Sequence, residues 1–279
     1  MKQFRKMTYP YVVWISIMIV FPMLLIMFYA FTRQGNSVTQ FSFTLANFGR
    51  FVSDTVFLSV LGRSLRVALI TTVVCILLGY PAAYYIAKCS EGLKMRWVFI
   101  ITIPTWINML VRTYAWIGIL QDDGVINKML GAIGIGPITM LHTEFAVILG
   151  MVYNFIPFMI LQIYTSLTKM DYSLIEAAQD LGANSFKCFT KVTLPLSLPG
   201  VISGITLVFL PAVSSFCIPK MLGGGQYVLV GNVIESQFLT SGDWNFGSAI
   251  SLIMAIIIMI SMYVTKKIDT TEVSERSAT

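Results

Sequence analysis

The sequence predicts an all-α polytopic membrane protein: six transmembrane helices with a pair of short amphipathic helices on the cytoplasmic side. Three observations carry this. Only 11% of residues are charged and 56% are hydrophobic, with a mean hydropathy of +0.78; soluble domains carry roughly 25% charged residues, so this chain cannot cover a water-facing surface. Six apolar runs reach the roughly 20 residues that a helix needs to cross a bilayer core. Lys and Arg are shared unequally between the segments that join those runs.

The spans follow in order. Tyr11–Phe31 is preceded by Lys2, Arg5 and Lys6. That start resembles a signal peptide, but the run has 21 residues and no small-x-small site follows, so it reads as an uncleaved span. Leu65–Ala87, Trp97–Leu120, Phe145–Leu167, Leu196–Ile218 and Phe246–Val264 complete the set. With the N-terminus inside, the inner segments hold twelve Lys and Arg and the outer segments five, while Arg66 and Arg112 lie in spans. The excess sets both termini in the cytoplasm. The net charge of +6 then reflects topology and needs no nucleic-acid partner.

The outer loops Thr32–Ser64 and Pro219–Asn245 are long and partly apolar, which predicts short helices on the outer surface. Surface packing and a docking face are both open readings of them. His142 stands alone in a loop and reads as a surface residue; Cys75, Cys89, Cys188 and Cys217 show no metal-site spacing and no disulfide framework.

The most patterned polar stretch lies between the fourth and fifth spans. Ser173 and Glu176 have the spacing of a capping box, in which hydroxyl and carboxylate each satisfy the other's end of the first turn. Leu174, Ala177, Ala178 and Leu181 then form an apolar stripe. Gly182 stands where a helix ends in a left-handed residue. Asn184 or Ser185 caps a second helix carrying Phe186, Phe189 and Val192, and Pro195 and Pro199 open the fifth span. Helices lying on lipid are usually rich in Lys and Arg. This one carries Glu176 and Asp180, which points to a protein partner.

Glu176-Ala177-Ala178, Gly182 and Val192-Thr193-Leu194-Pro195 resemble the EAA loop of bacterial binding-protein-dependent ABC importer permeases, with Val192 in place of isoleucine. Leu78–Tyr84, Ile103–Asn108 with Arg112, Met221–Gly224, Gly231–Ile234 and Asp243–Gly247 extend the resemblance along nearly the whole chain, toward the spermidine/putrescine branch of that family. The resemblance implies a type I ABC importer permease fold. It makes residues 168–195 the coupling loop, with Ser173, Glu176, Ala177, Ala178, Asp180, Gly182, Leu194 and Pro195 meeting an ATPase subunit. On this reading residues 1–64 hold the first span and outer loop, 65–264 form the five-span core and 265–279 a cytoplasmic tail.

The chain lacks the G-x-x-x-x-G-K-[ST] pattern of a phosphate-binding loop. ATP and magnesium therefore belong to a separate ATPase chain, and this one is a non-catalytic subunit without a cofactor of its own. The family implies two ATPase copies, a second related permease and an extracytoplasmic polyamine-binding protein, all at a bacterial inner membrane.

A polyamine crossing a low-dielectric passage needs carboxylates, aromatic faces or water. Trp106, Asn108, Tyr114, Tyr153, Asn154, Ser214, Asp243 and Trp244 are the candidates to line that path, with Trp116 a further ring nearby. No Asp or Glu lies deep in a span; Asp54, Asp122, Asp123, Glu144, Glu235 and Asp243 are read as an acidic outer vestibule. Arg112 repels a cation and reads as a tie between spans or a residue near the outer gate. The third span tolerates it because eleven Leu, Ile, Phe and Val residues offset its cost. The alternatives are a permease for ferric iron, sulfate or molybdate, and an ion-coupled secondary transporter, which would place ionisable groups at mid-membrane. An intramembrane enzyme would want a His, Asp or Ser constellation that one loop histidine does not supply.

Overall fold

The computed structural model describes residues 2–33 and 42–277. The first span runs through α1 (Lys2–Ile15), a π-turn over Ser16–Val20 and α2 (Phe21–Ala30). Pro22 explains the π-turn: it lacks an N–H and its ring crowds the carbonyl four residues back, so the helix widens there instead of breaking. α3 (Ala46–Ser53) lies in the loop between the first two spans, expected on the outer side, and leads into α4 (Thr55–Lys88), the second span, 34 residues long. Asp54 starts α4 by accepting the Val56 amide at 2.8 Å.

The third span departs from the expected straight helix. α5 (Glu91–Trp106) ends at Ile107, and α6 (Met109–Leu120) with α7 (Val125–Ala132) continues at 92° to it. The cause is Asn108, whose side-chain oxygen takes the Leu110 amide at 2.8 Å and so begins a new helix. α8 (Glu144–Thr168) is the fourth span, capped by Thr143. α9 (Ser173–Asp180) and α10 (Ser185–Cys188) form an elbow between the fourth and fifth spans, the segment expected on the inner side.

α10 does not stop before the fifth span. A second π-turn, Phe189–Thr193, joins it to α11 (Leu194–Ser214), giving one helical run of 30 residues over Ser185–Ser214. Pro195 is thus absorbed two residues beyond a π-turn, as Pro22 is in the first span. The expected fifth span also ends early: Ser215 is extended, and Cys217–Leu222 is a separate helix, α12. α13 (Val230–Leu239) and α14 (Trp244–Ser277), the sixth span, finish the chain.

Spans α4, α8 and α11 pack into one core. Met159 is fully buried there between two glycines: a Cβ on Gly79 would sit 3.1 Å from its Cγ, and one on Gly204 2.5 Å from its Sδ. Small residues let membrane helices approach closely enough for dispersion to hold them, since lipid offers no hydrophobic drive between helices. Tyr80 and Ser197 share a 2.7 Å hydrogen bond across the same core.

The first span is different. None of its apolar window is buried inside the chain. It leans on α14 and is tied at its outer end. Asn47 donates to the carbonyls of Ala30 and Thr32, both at 3.0 Å. Asn245 donates to the Tyr29 and Thr32 carbonyls at 3.0 Å and to Thr32 Oγ1 at 2.9 Å. These amides satisfy carbonyls that the end of a helix leaves without partners.

Candidate functional site: the inner elbow and the broken third span

The elbow is built from local hydrogen bonds. Asp171 opens it, its carboxylate accepting the Ser173 amide at 3.0 Å. That bond and a second from the Ser173 hydroxyl hold the Asp171 carboxyl below its ordinary range. The expected capping box is therefore not formed: Ser173 is already the first helical residue, and its hydroxyl turns back to Asp171. At the other end, Gly182 has φ +82°. The Gly182 amide donates to Gln179 O at 2.8 Å and the Ala183 amide to Ala178 O at 3.0 Å, the paired closure of a left-handed helix stop. Asn184 then caps α10 through the Lys187 amide at 2.9 Å.

Packing leaves most of the apolar stripe facing outward. Ile175 is the buried residue of α9, with Ala178 half-buried beside it. Leu174 and Ala177 are exposed, and Leu181 is 90% exposed. In α10 and the π-turn the two phenylalanines separate: Phe189 sits edge-on to Tyr80 and Tyr84, at 5.8 and 5.3 Å, while Phe186 is 73% exposed. Ser173, Glu176 and Asp180 are exposed, and neither acid has an ion partner among the described residues. Leu194 is exposed and Pro195 half-buried at the base. The elbow is thus a rigid turn with an apolar and acidic outer face.

The candidate path residues divide into two groups. At the break in the third span, Trp106 is 75% exposed and meets Phe99 edge-on at 5.9 Å. Asn108 makes the break itself, and Tyr114 lies exposed on α6. Asn154 Nδ2 lies 3.9 Å from Met109 Sδ, and Tyr153 meets Trp116 edge-on at 5.4 Å. These residues join α6 to α8. Ser214, exposed, ends α11.

Asp243 and Trp244 are engaged elsewhere. Asp243 is buried, accepts the Phe246 amide at 3.0 Å and pairs with Arg50 at 3.0 Å. Trp244 sits between Tyr29 and Phe238, at 6.4 and 5.4 Å. Both belong to the corner where the first and sixth spans meet.

Three of the six acids read as an outer vestibule are ion-paired within the chain. Asp243 has Arg50; Glu144 has Arg66 and the Tyr227 hydroxyl; Glu235 has Lys220 at 2.6 Å. Accepting that bond from Tyr227, Glu144 raises the phenol above its ordinary range. Arg112 does not tie spans by hydrogen bonds either: its Nε and Nη1 are buried without a partner among the described residues. His142 is an exposed loop residue, and its backbone takes a left-handed φ of 64°.

Several organising residues escaped the sequence reading. Ser64 is buried in α4 and accepts the Val230 amide at 2.8 Å. Asn232 accepts the Leu229 amide at 3.2 Å and donates to the Phe216 carbonyl at 2.6 Å, so one side chain fixes both the start of α13 and the break after α11. An Asn inside an otherwise apolar run is the signal that could have found it.

Comparison with known proteins agrees with this geometry. Residues 75–270 match the family described as binding-protein-dependent transport system inner membrane component. The chain is 39% identical over 266 residues to the spermidine/putrescine transport system permease protein PotB of Haemophilus influenzae, covering 94% of this chain and 93% of that protein. It is 38% identical over 254 residues to the PotB protein of Escherichia coli K12, covering 90% and 92%. Among solved structures, a bacterial ABC transporter involved in alginate import superposes with a TM-score of 0.72 at 17% identity, covering 96% of this chain and 95% of that one. The MetNI methionine ABC transporter, in an inward-facing form, gives 0.57 at 17% identity over 77% of this chain and 95% of that one. At such identities the likeness concerns the fold. With the family matched over most of its length, and with apolar spans around a core of α4, α8 and α11, the chain belongs to the binding-protein-dependent transport system inner membrane components and is a multi-pass permease subunit.

Proposed function

We propose that this chain is one of two membrane subunits of an ATP-driven importer of polyamines, and that α9 and α10 couple it to a separate ATPase. One observation carries the coupling role: a short helix closed by a left-handed glycine holds Leu181 and Phe186 outward beside two acids without ion partners among the described residues. Rigid apolar side chains with charges around them are the anatomy of a protein-docking patch. The polyamine assignment rests on the 38–39% identity to PotB proteins over nine-tenths of the chain. Both termini lie in the cytoplasm on this reading, and ATP and magnesium sit on the partner.

The mechanism follows from rigidity. Closure of an ATPase pair displaces the elbow. Because α10, the π-turn and α11 are one helical run, that displacement passes directly into the core of α4, α8 and α11. The spans rock, and the passage opens to the outside. Trp106, Asn108, Tyr114, Tyr153, Asn154 and Ser214 line it. The test is ATPase activity of the assembled transporter in proteoliposomes, with its binding protein and a panel of solutes. Stimulation by spermidine or putrescine is expected. Stimulation by sulfate, molybdate or ferric iron alone would overturn the substrate assignment.

A further inference from the structure

On the outer face, α12, α13 and the loop between them bound a groove of about 390 Å3. Its lining includes the aromatic residues Phe57 and Tyr227, the neutral polar residues Ser236 and Gln237, and the pair Lys220–Glu235. The other outer carboxylates are committed or lie apart. Asp243 is buried against Arg50, Glu144 holds Arg66 and Tyr227, and Asp54 caps α4. Asp122 and Asp123 stand exposed in a turn.

Like Asp243 and Glu144, Glu235 is a mostly buried carboxylate beside an exposed cation, but its cation is a lysine where theirs are arginines, and it lines the groove. Its side chain is 19% exposed, whereas that of its partner Lys220 is 62% exposed. The carboxylate is therefore set into the wall, and its cation arrives on a flexible stem from solvent. Such a pair, exposed on one side, is weakly held and easily exchanged. The head group that Lys220 brings is a primary alkylammonium on a methylene chain. An aliphatic polyamine ends in the same group.

We propose that this groove is an amine-binding site in which Glu235 takes a primary ammonium of an aliphatic polyamine and Lys220 holds that place until it is displaced. Phe57 and Tyr227 flank the methylenes, and Ser236 and Gln237 offer acceptors to a second amine. The proposal rests on the polyamine reading of the permease and adds a site to it.

Two substitutions separate a ligand site from a structural ion pair. Lys220→Met and Glu235→Gln both break the pair, so a purely structural role moves them in the same direction. The site moves them in opposite directions. The measurement is equilibrium binding of radiolabelled spermidine to the assembled transporter in nanodiscs, without its binding protein. Lys220→Met should bind at least threefold more tightly than wild type, Glu235→Gln at least tenfold more weakly, and the double variant as weakly as Glu235→Gln. Shifts of one sign, no shift, or no saturable binding to Lys220→Met would overturn the site. Uptake of spermidine or putrescine by the wild-type transporter with its binding protein tests the underlying reading separately. Uptake with unshifted variants overturns the site alone; absence of uptake overturns the polyamine reading.

Discussion

The inner elbow and the outer corner are both polar turns between spans, yet they are finished in opposite ways. At the outer corner nearly every polar group has found a partner within the chain. Asn47 and Asn245 sit on the last carbonyls of the first span, and Arg50 pairs with Asp243 while lying 4.1 Å from the Phe246 ring centroid. At the elbow the engaged polar side chains, Asp171 and Asn184, serve the turn itself; Leu181 and Phe186 stand in the open and Glu176 and Asp180 lack ion partners among the described residues. A corner that satisfies itself holds the bundle together. A rigid turn that holds apolar and acidic side chains outward is shaped for another molecule.

The strongest test of that contrast is Gly182→Val. A Cβ there meets nothing within 4 Å, so the change adds no clash; it acts on the φ of +82° alone. Left-handed geometry costs an ordinary L-residue about 1–2 kcal/mol, and a β-branched one is placed worst. That is too little to unfold the bundle and enough to tilt α9 against α10. Uptake should fall at least tenfold with the assembled complex intact, while ATP hydrolysis continues without its link to transport. Gly182→Asn should be milder, because Asn tolerates the left-handed region. Wild-type coupling in the Val variant would remove the elbow's rigidity from the mechanism.

Asn245→Ala probes the other side of the comparison, with a smaller effect on transport. It leaves the Thr32 hydroxyl and the carbonyls of Tyr29 and Thr32 without this buried donor. Losing a buried partner costs about 1–3 kcal/mol. The expected result is a lower thermal unfolding midpoint for the purified transporter, with the ratio of ATP hydrolysed to solute imported unchanged. A changed ratio would mean that the outer corner takes part in coupling, and the two regions would no longer divide the work.

What the sequence made legible follows the same line. Apolar length is a property of consecutive residues, so five spans could be placed and the bent third as an apolar run; the elbow could be placed because Gly182 and Asn184 act on their immediate neighbours. The bend in the third span was hidden, because a run from Trp97 to Leu120 has one hydropathy whether straight or turned through 92°. Only the local competition of Asn108 for the Leu110 amide decides it. The inward face of α9 was not legible for another reason. The stripe of Leu174, Ala177, Ala178 and Leu181 marks an apolar face without saying whether the bundle or a partner covers it, and packing buries Ile175, half-buries Ala178 and leaves the other three outward. The outer pairs were out of reach altogether: Arg50 and Asp243 are 193 positions apart, and Asn245 and Tyr29 are 216. Read one at a time, those acids looked free to receive a cation.

The smallest expected effect concerns the bond that opens the elbow. Asp171 is held below its ordinary value because the Ser173 amide and hydroxyl donate to its charged form. A carboxyl lowered on folding contributes stability that is fully present above its unfolded value, near 3.9 for Asp, and lost as pH falls through the lower folded value. The elbow should therefore be insensitive to pH across the range in which a bacterium lives. Amide hydrogen-exchange protection factors for residues 172–176 should stay level from pH 8 to pH 5 and decline only below about pH 4. Asp171→Asn separates the charge from the geometry. An amide oxygen can still accept the Ser173 N–H but has no proton to gain in this range, so the variant should show slightly lower protection and a flat profile throughout. A wild-type decline already at pH 6, or an Asn variant that still titrates, would show that the elbow is opened by some group other than Asp171. The contrast with the ion-paired outer corner would then have to be redrawn around that group.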